Sequence, residues 1–224
     1  MTTQQSLPSF GVFKDFLQPE IHQVLLDYVS LDHSYQRSND PLSQLRFEDI
    51  PHSKDESLRY LRPYVSVDGS VHESDFSVND EDWVYLRHYP TDEKVVEIIK
   101  NLDIMTSSSI QEIYKTNVKS VYDIFFLKYS DGRGLRLHND TYEINNNYGS
   151  NVNTGYFSSV YYINDNYSGG INNSPYSGVG FKPLANTLYL TYNIWDEDMI
   201  HEVTAVTKGE RYTRQQIWEL DSTA

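Results

Sequence analysis

Two histidines and one aspartate in the second half of the chain have the composition of a metal site. His138 and Asp140 form an H-x-D triplet, and His201 follows a strand-rich segment. Two imidazoles and one carboxylate can bind Fe(II) on one face of an octahedral ion and leave three positions open for other ligands. These three residues are the predicted metal ligands. An H-x-D triplet is weak evidence by itself, so the prediction depends on the elements that carry it.

Arg211 is the second group with predicted chemistry, and it lies 211 − 201 = 10 residues after His201. A guanidinium can bind a carboxylate through two parallel charge-assisted hydrogen bonds. Arg211 is therefore a candidate to hold the far carboxylate of a keto acid chelated by the metal. Thr213 lies two positions further along a predicted strand, on the same face, and could donate to the same carboxylate. Taken alone, Arg211 is more readily explained as a surface arginine. Together with the three predicted metal ligands, it is better explained as a carboxylate-binding residue.

The strands that must position these residues are predicted from Val118 onward. Aromatic and β-branched runs alternate with turn signals such as Asp131-Gly132 and Gly169-Gly170. Several short strands without intervening helices indicate a β-sandwich or jelly roll. His138 and Asp140 end one predicted strand and His201 begins another, so a β-roll can bring them together. The predicted strands are 120–128, 158–163, 186–192, 199–206 and 212–220.

The first half of the chain shows helical patterns instead. Apolar spacing predicts a helix from Phe10 to about Tyr28, with Pro19 in a first-turn position. Thr91 is the predicted N-cap of a second helix. Ser109 and Glu112 have the spacing of a capping box for a further short helix.

These elements predict an α+β fold, a double-stranded β-helix (jelly-roll) core with N-terminal helices packed on it. The predicted organisation is a single domain over residues 1–224. Residues 1–117 are its helical and loop-rich part, and residues 118–220 are its β-roll catalytic core. Nothing is placed firmly in the polar tract 32–82, and the Asn-rich segment 141–157 is predicted to be a loop that contributes substrate contacts.

Composition excludes several classes of function. The chain has 224 residues and a net charge of −14, with 18 basic and 32 acidic residues, so no nucleic-acid partner is expected. No apolar run approaches the length of a membrane span, and the first residues do not resemble a signal peptide. Cysteine is absent, so a metal site must use histidines and carboxylates. The simplest expectation is a cytoplasmic protein without membrane contact.

Three segments resemble the Fe(II)- and 2-oxoglutarate-dependent dioxygenases, and within them the prolyl 4-hydroxylase-like branch. The family pattern has a Tyr before H-x-D, a Tyr-Tyr-Leu-Asn run with a Gly-Gly turn, and H-x-V followed by a basic residue and a Trp. The resemblance covers just under half of the chain. The segments that carry it are KYSDGRGLRLHND (Lys128–Asp140), SVYYINDNYSGG (Ser159–Gly170) and HEVTAVTKGERYTRQQIW (His201–Trp218).

The resemblance implies roles for particular residues. Asp140 would be an iron ligand, which indicates hydroxylation, since related halogenases lack this carboxylate. The implied cofactors are Fe(II) and the cosubstrate 2-oxoglutarate, with ascorbate as a candidate reductant. The resemblance implies a reaction that consumes O2 and releases succinate and CO2, with a peptidyl proline, an amino acid or another small molecule as the substrate. The implied iron ligands are His138, Asp140 and His201, and the implied cosubstrate contacts are Arg211, Tyr129 and Tyr162, in addition to Thr213 from the strand pattern. Tyr129 and Tyr162 are equally well explained as core tyrosines of the β-roll.

Two departures from the family pattern and two alternatives remain open. Gly169-Gly170 is followed by the polar segment INNSPYSGVGF, where the family usually has a compact apolar strand. Trp218 lies seven residues after Arg211, where the family more often has six, so Trp218 is predicted on the opposite strand face and is not assigned to the site. The chain is alternatively a non-catalytic β-roll module that binds carbohydrate or protein, with an incidental H-x-D. A cupin-type metal enzyme is a weaker alternative, because the remaining histidines lie in the first half without ligand spacing.

Overall fold

The structure of the chain is a computed structural model. It describes residues 10–31, 33, 36–37, 64–65, 71–72, 86–121, 124–130, 132–138, 140, 156–174, 179–193 and 201–221. The predicted substrate loop at 141–157 lies almost wholly outside these residues, as does most of the 32–82 tract.

The described chain contains two helices, α1 (Pro19–Val29) and α2 (Glu93–Tyr114). Pro19 is the first residue of α1, and Gln18 before it is extended with φ −57° and ψ 141°, as expected for a residue that precedes proline. The predicted helix from Phe10 is therefore wrong for residues 10–18, where Phe10–Phe13 form a strand with alternating exposure. Neither helix is both long enough and apolar enough to cross a bilayer.

The start and length of α2 also differ from the prediction. Its N-cap is Asp92 and not Thr91, because the Asp92 carboxylate accepts a hydrogen bond from the Val95 N–H at 3.1 Å. The helix continues through Ser109, so the prediction of a separate short helix there is wrong. The Ser109 hydroxyl donates to the Met105 carbonyl at 3.0 Å and caps nothing.

The strands form two principal sheets and one small ribbon. The major sheet has the order β1-β13-β9-β16-β7-β5-β2, with β6 also paired to β16. The minor sheet has the order β4-β3-β12-β11-β14-β8, and β10 pairs with β15. In chain order the strands are β1 (Phe10–Phe13), β2 (Gln36–Arg37), β3 (Tyr64–Val65), β4 (Val71–His72), β5 (Leu86–His88), β6 (Val118–Ser120), β7 (Phe126–Ser130), β8 (Leu135–His138), β9 (Tyr156–Tyr162), β10 (Ser168–Gly169), β11 (Asn172–Ser174), β12 (Val179–Phe181), β13 (Thr187–Asn193), β14 (His201–Val203), β15 (Val206–Lys208) and β16 (Glu210–Leu220).

This arrangement confirms the predicted β-rich roll with helices packed on it. Two details differ from the sequence prediction. Strand β1 replaces the start of a predicted helix, and β11 and β12 form in the polar segment after Gly170, where no strand was placed. Strands β2 to β4 lie in the 32–82 tract, where no element was placed firmly. The predicted boundaries of the domain and of its two parts stay a prediction.

The helices cover one face of the major sheet. The buried side chains of α2 recur every three or four residues and form one stripe along the helix. That stripe packs with α1 against the outward-facing side chains of β9, β13 and β16. Each large apolar side chain buried here contributes about 1.5–3 kcal/mol. The α2 stripe consists of Val95, Ile99, Leu102, Thr106, Ile110 and Tyr114.

A buried polar chain joins α1 to the sheet. The Asn186 amide pairs with both backbone groups of Leu17, since Leu17 N–H donates to Oδ1 at 2.9 Å and Nδ2 donates to the Leu17 carbonyl at 2.8 Å. The Tyr161 hydroxyl donates to the same Oδ1 at 2.8 Å. The Tyr161 oxygen must then accept a hydrogen bond from the Nδ1–H group of His22, which lies 2.7 Å away. His22 is thus held by Nδ1, and burial lowers its pKa although Asp165 acts in the opposite direction.

His22 is expected to make the protein less stable in mild acid. The pKa of His22 is lower in the folded protein than in the unfolded chain. As the pH falls below about 6.5, the imidazole is therefore protonated in the unfolded chain before it is protonated in the folded protein. The free energy of unfolding should therefore be insensitive to this group above pH 6.5 and decrease below it, by up to about 1.4 kcal/mol per pH unit. Urea unfolding of wild type and His22→Asn between pH 7.5 and 5 measures this. Parallel pH profiles for the two proteins would contradict it.

Candidate active site

A cavity lies between the two sheets, on the face of the major sheet opposite the helices. Alternation along the strands decides which side chains reach it, because every second residue of a strand points to the same side. The major sheet supplies most of the lining, and the minor sheet supplies the opposite wall. The lining residues are Leu127, Tyr129, Leu135, Asp140, Ser158, Val160, Tyr162, Asn172, Tyr189, Thr191, His201, Val203, Arg211, Thr213 and Gln215.

Two of the three predicted metal ligands, Asp140 and His201, lie at one side of this cavity. His138 and His201 are paired residues of the antiparallel strands β8 and β14. Asp140 is buried, and its Oδ2 lies 3.9 Å from Nε2 of His201. The side chain of His138 lies outside what the structure describes, and among the described residues no group of three His, Asp or Glu side chains is close enough to hold a metal ion. The structure therefore brings Asp140 and His201 together and brings the backbone of His138 opposite His201.

Arg211 lies in the same cavity and is almost completely buried, with 2% of its surface exposed. Its guanidinium carbon is 4.6 Å from the centre of the Tyr129 ring and 5.1 Å from that of Tyr162. Within the described part of the chain, Nε and Nη1 of Arg211 and Oγ1 of Thr213 are buried without a hydrogen-bond partner. A buried cation with unpaired N–H groups is costly unless an anion binds it. This part of the cavity is thus suited to an anionic ligand.

Burial keeps two of the tyrosines around Arg211, Tyr129 and Tyr167, in their uncharged form at neutral pH. Burial raises the pKa of Tyr129, and it raises the pKa of Tyr167 to about 12. Burial by itself would lower the pKa of Arg211, but the phenolic oxygens of Tyr162, Tyr167 and Tyr129 more than offset this and raise it. The cluster therefore has a net positive charge and hydroxyl donors, and both favour a bound carboxylate.

Comparison with known proteins finds similarity at the level of structure. No protein-family model and no curated protein sequence matches the chain. A viral collagen prolyl hydroxylase from Paramecium Bursaria Chlorella virus-1, solved as its 2OG (2-oxoglutarate) complex, superposes with a TM-score of 0.54 at 13% identity, over 95% of this chain and 96% of that one. A prolyl hydroxylase from Trichoplax adhaerens, solved with a hypoxia inducible factor peptide fragment, superposes with a TM-score of 0.55 at 17% identity, over 95% of this chain and 84% of that one. An oxidoreductase of the 2OG-Fe(II) oxygenase family from Burkholderia pseudomallei superposes with a TM-score of 0.51 at 12% identity, over 94% of this chain and 85% of that one.

The fold is that of the prolyl hydroxylases. These neighbours confirm the predicted fold class, the jelly-roll core with helices packed on it. Their sequence identities are low, so the roles of individual residues in this chain rest on its own geometry.

Within this prolyl hydroxylase fold, β16 separates site residues from packing residues. Arg211, Thr213 and Gln215 face the cavity. Trp218 faces the helices, packs with Ile110 and Tyr114 of α2, and donates from Nε1 to the Ser159 hydroxyl at 2.9 Å. The prediction that Trp218 lies on the opposite strand face is confirmed.

Several residues of the site were missed by sequence reasoning. The Ser158 hydroxyl donates to Oδ2 of Asp140 at 2.5 Å. Its position four residues before Tyr162 on one strand was the available signal, since both must share a face. Gly170 has φ +62°, and a Cβ there would lie 3.0 Å from Cδ of Arg211 and 2.9 Å from the Tyr167 ring. Glycine at this position therefore allows Arg211 and Tyr167 to pack against the turn.

Proposed function

We propose that this protein is an Fe(II)- and 2-oxoglutarate-dependent dioxygenase that hydroxylates its substrate. The observation that carries the proposal is the buried Arg211, whose unpaired N–H groups share a cavity with Asp140 and His201. A dicarboxylic keto acid can bridge the guanidinium of Arg211 and a metal ion held by Asp140 and His201. Its far carboxylate would bind the guanidinium, and its keto-acid end would reach the metal.

The donor set fits Fe(II). In the proposal His138, Asp140 and His201 hold the ion, and two imidazoles with one carboxylate leave three positions for the keto acid and O2. Asp140 and His201 already face each other across 3.9 Å, and no cysteine in the chain competes for the metal. When bound, Fe(II) with 2-oxoglutarate supplies oxidative chemistry that consumes O2, releases succinate and CO2, and hydroxylates a C–H bond of the substrate.

The protein's own residues bind and orient the cosubstrate. Arg211 forms the charged contact to its far carboxylate, and Thr213 and Tyr162 donate hydroxyl hydrogen bonds to the same group. Tyr129 packs its ring against the guanidinium and fixes its plane. Because Arg211 and Thr213 are buried, water is excluded from this end of the site, which strengthens each of these contacts.

The proposed substrate is a peptidyl prolyl residue, with a free amino acid as the alternative. Support comes from the fold shared with prolyl hydroxylases, one of which was solved with a peptide fragment. The competing hypothesis remains a non-catalytic β-roll module, which predicts no dependence of ligand binding on a metal.

The decisive test is an anaerobic titration of the purified apoprotein with Fe(II) and 2-oxoglutarate. A visible charge-transfer band is expected only when both are present, and succinate should form after O2 is admitted. Peptides containing proline and free amino acids are then screened for hydroxylated products by mass spectrometry. Failure of the apoprotein to bind Fe(II) and to give the band would contradict the proposal and favour the binding module.

A further inference from the structure

The carboxylate of Asp140 is held by a hydroxyl from the centre of the major sheet. Ser158 Oγ donates to Asp140 Oδ2 at 2.5 Å, and Oδ2 is also the atom that lies 3.9 Å from Nε2 of His201. Both residues are buried, with 2% of Ser158 and 5% of Asp140 exposed. An ionised carboxylate only accepts hydrogen bonds, so the serine is the donor in this contact.

The sheet fixes the serine that makes this contact. Ser158 is paired with Thr191 on β13 and with Ile217 on β16, so its backbone is held from both sides. The Thr191 hydroxyl also donates to the Ser158 carbonyl at 3.3 Å. Asp140 lies just beyond the end of β8 and belongs to no strand. The hydrogen bond therefore links a residue just beyond the minor sheet to the centre of the major sheet.

We infer that Ser158 is a positioning residue for the metal site: it orients the Asp140 carboxylate and tunes its strength as a metal ligand. The inference rests on the proposed function, because it takes Asp140 to be an iron ligand. Outer-shell partners of this kind restrict the ligand to the rotamer that binds metal, and their loss typically weakens metal binding about 10–100-fold. The hydroxyl also withdraws electron density from the carboxylate, so the metal becomes more electron-rich when the hydrogen bond is lost.

Ser158→Ala is expected to weaken Co(II) binding to the apoprotein at least about tenfold, measured by isothermal titration calorimetry with the metal alone. A second readout is the anaerobic charge-transfer band with Fe(II) and 2-oxoglutarate at saturating concentrations. The band should move to lower energy, because an electron-rich iron gives up an electron to the keto acid more easily. A serine with a purely structural role would not move this band.

The adjacent serine provides a matched control. Ser159 is also buried, but it faces the helices and accepts the hydrogen bond from Trp218 Nε1. Ser159→Ala should lose about 1 kcal/mol of stability while keeping Co(II) affinity within about twofold and the band in place. Ser158→Thr retains the hydroxyl and should restore the wild-type band position.

The outcomes separate the inference from the proposed function. Wild-type affinity and band position in Ser158→Ala, or equal loss of affinity in both alanine variants, would overturn the positioning role and leave the oxygenase proposal standing. A wild-type protein that binds no Co(II) and gives no band would overturn both.

Discussion

His201→Ala is expected to bind Co(II) and Fe(II) at least about 100-fold more weakly than wild type and to form no succinate from 2-oxoglutarate. The substitution removes one of the three proposed protein ligands, and even the loss of an outer-shell partner typically costs 10–100-fold in metal affinity. The fold should persist, because His201 contributes to the β8–β14 pair through its backbone. Calorimetry with Co(II), the anaerobic charge-transfer band and succinate analysis measure the three effects.

The control for this substitution is His33→Ala. His33 also presents an imidazole, but that ring stacks on His88 and contacts the Tyr28 carbonyl at the end of α1, and no role at the metal is proposed for it. This variant should bind metal as wild type does. If His201→Ala retained wild-type affinity for Co(II), His201 would be excluded as a ligand and the binding-module hypothesis would be strengthened.

Arg211→Met is expected to weaken 2-oxoglutarate binding at least about 30-fold while leaving Co(II) affinity unchanged. Losing one partner of a buried charged contact typically costs 2–5 kcal/mol, and 30-fold corresponds to about 2 kcal/mol. Without cosubstrate the variant should be about as stable as wild type, since the lost contacts of the guanidinium with the Tyr129 and Tyr162 rings are offset by removal of a buried cation whose Nε and Nη1 lack partners in the described structure. Titration with 2-oxoglutarate in the presence of Co(II), together with thermal melts, tests both statements.

Arg214→Met is the matched variant on the other face of β16. Arg214 is buried beneath α2, where Nη2 forms a 3.0 Å salt bridge with Asp103. Burial raises the pKa of Asp103, and Arg214 acts against that rise. Arg214→Met should therefore lower the melting temperature yet preserve 2-oxoglutarate affinity, which is the reverse of the result for Arg211→Met. Equal loss of cosubstrate affinity in the two variants would contradict the assignment of Arg211.

Much of the site could be predicted from local sequence pattern. Alternation along a strand depends only on backbone geometry, so the spacing from Arg211 to Thr213 predicted a shared face and the spacing to Trp218 predicted the opposite one. Both placements hold in the structure. The residue types likewise limited the chemistry, because a chain without cysteine must build a metal site from imidazoles and carboxylates. The ligand and cosubstrate roles themselves stay predictions.

Local pattern predicted the ends of elements less well. The apolar spacing after Phe10 fits a helix, but pairing with β13 stabilises Phe10–Phe13 as a strand. Asp92 and Thr91 are both acceptable N-caps, and the backbone conformation before α2 decides between them. Such choices depend on small energy differences that tertiary contacts override.

The sequence by itself determined the class of fold, the faces of β16 on which Arg211, Thr213 and Trp218 lie, and the residue types available to bind metal and anion. Only the tertiary structure decided that Arg211 is buried without a carboxylate partner among the described residues, and that Ser158 holds Asp140. Burial and pairing across sheets join residues 18 or more positions apart. They depend on how the sheets pack and not on any local period, so no reading of neighbouring residues could have specified them.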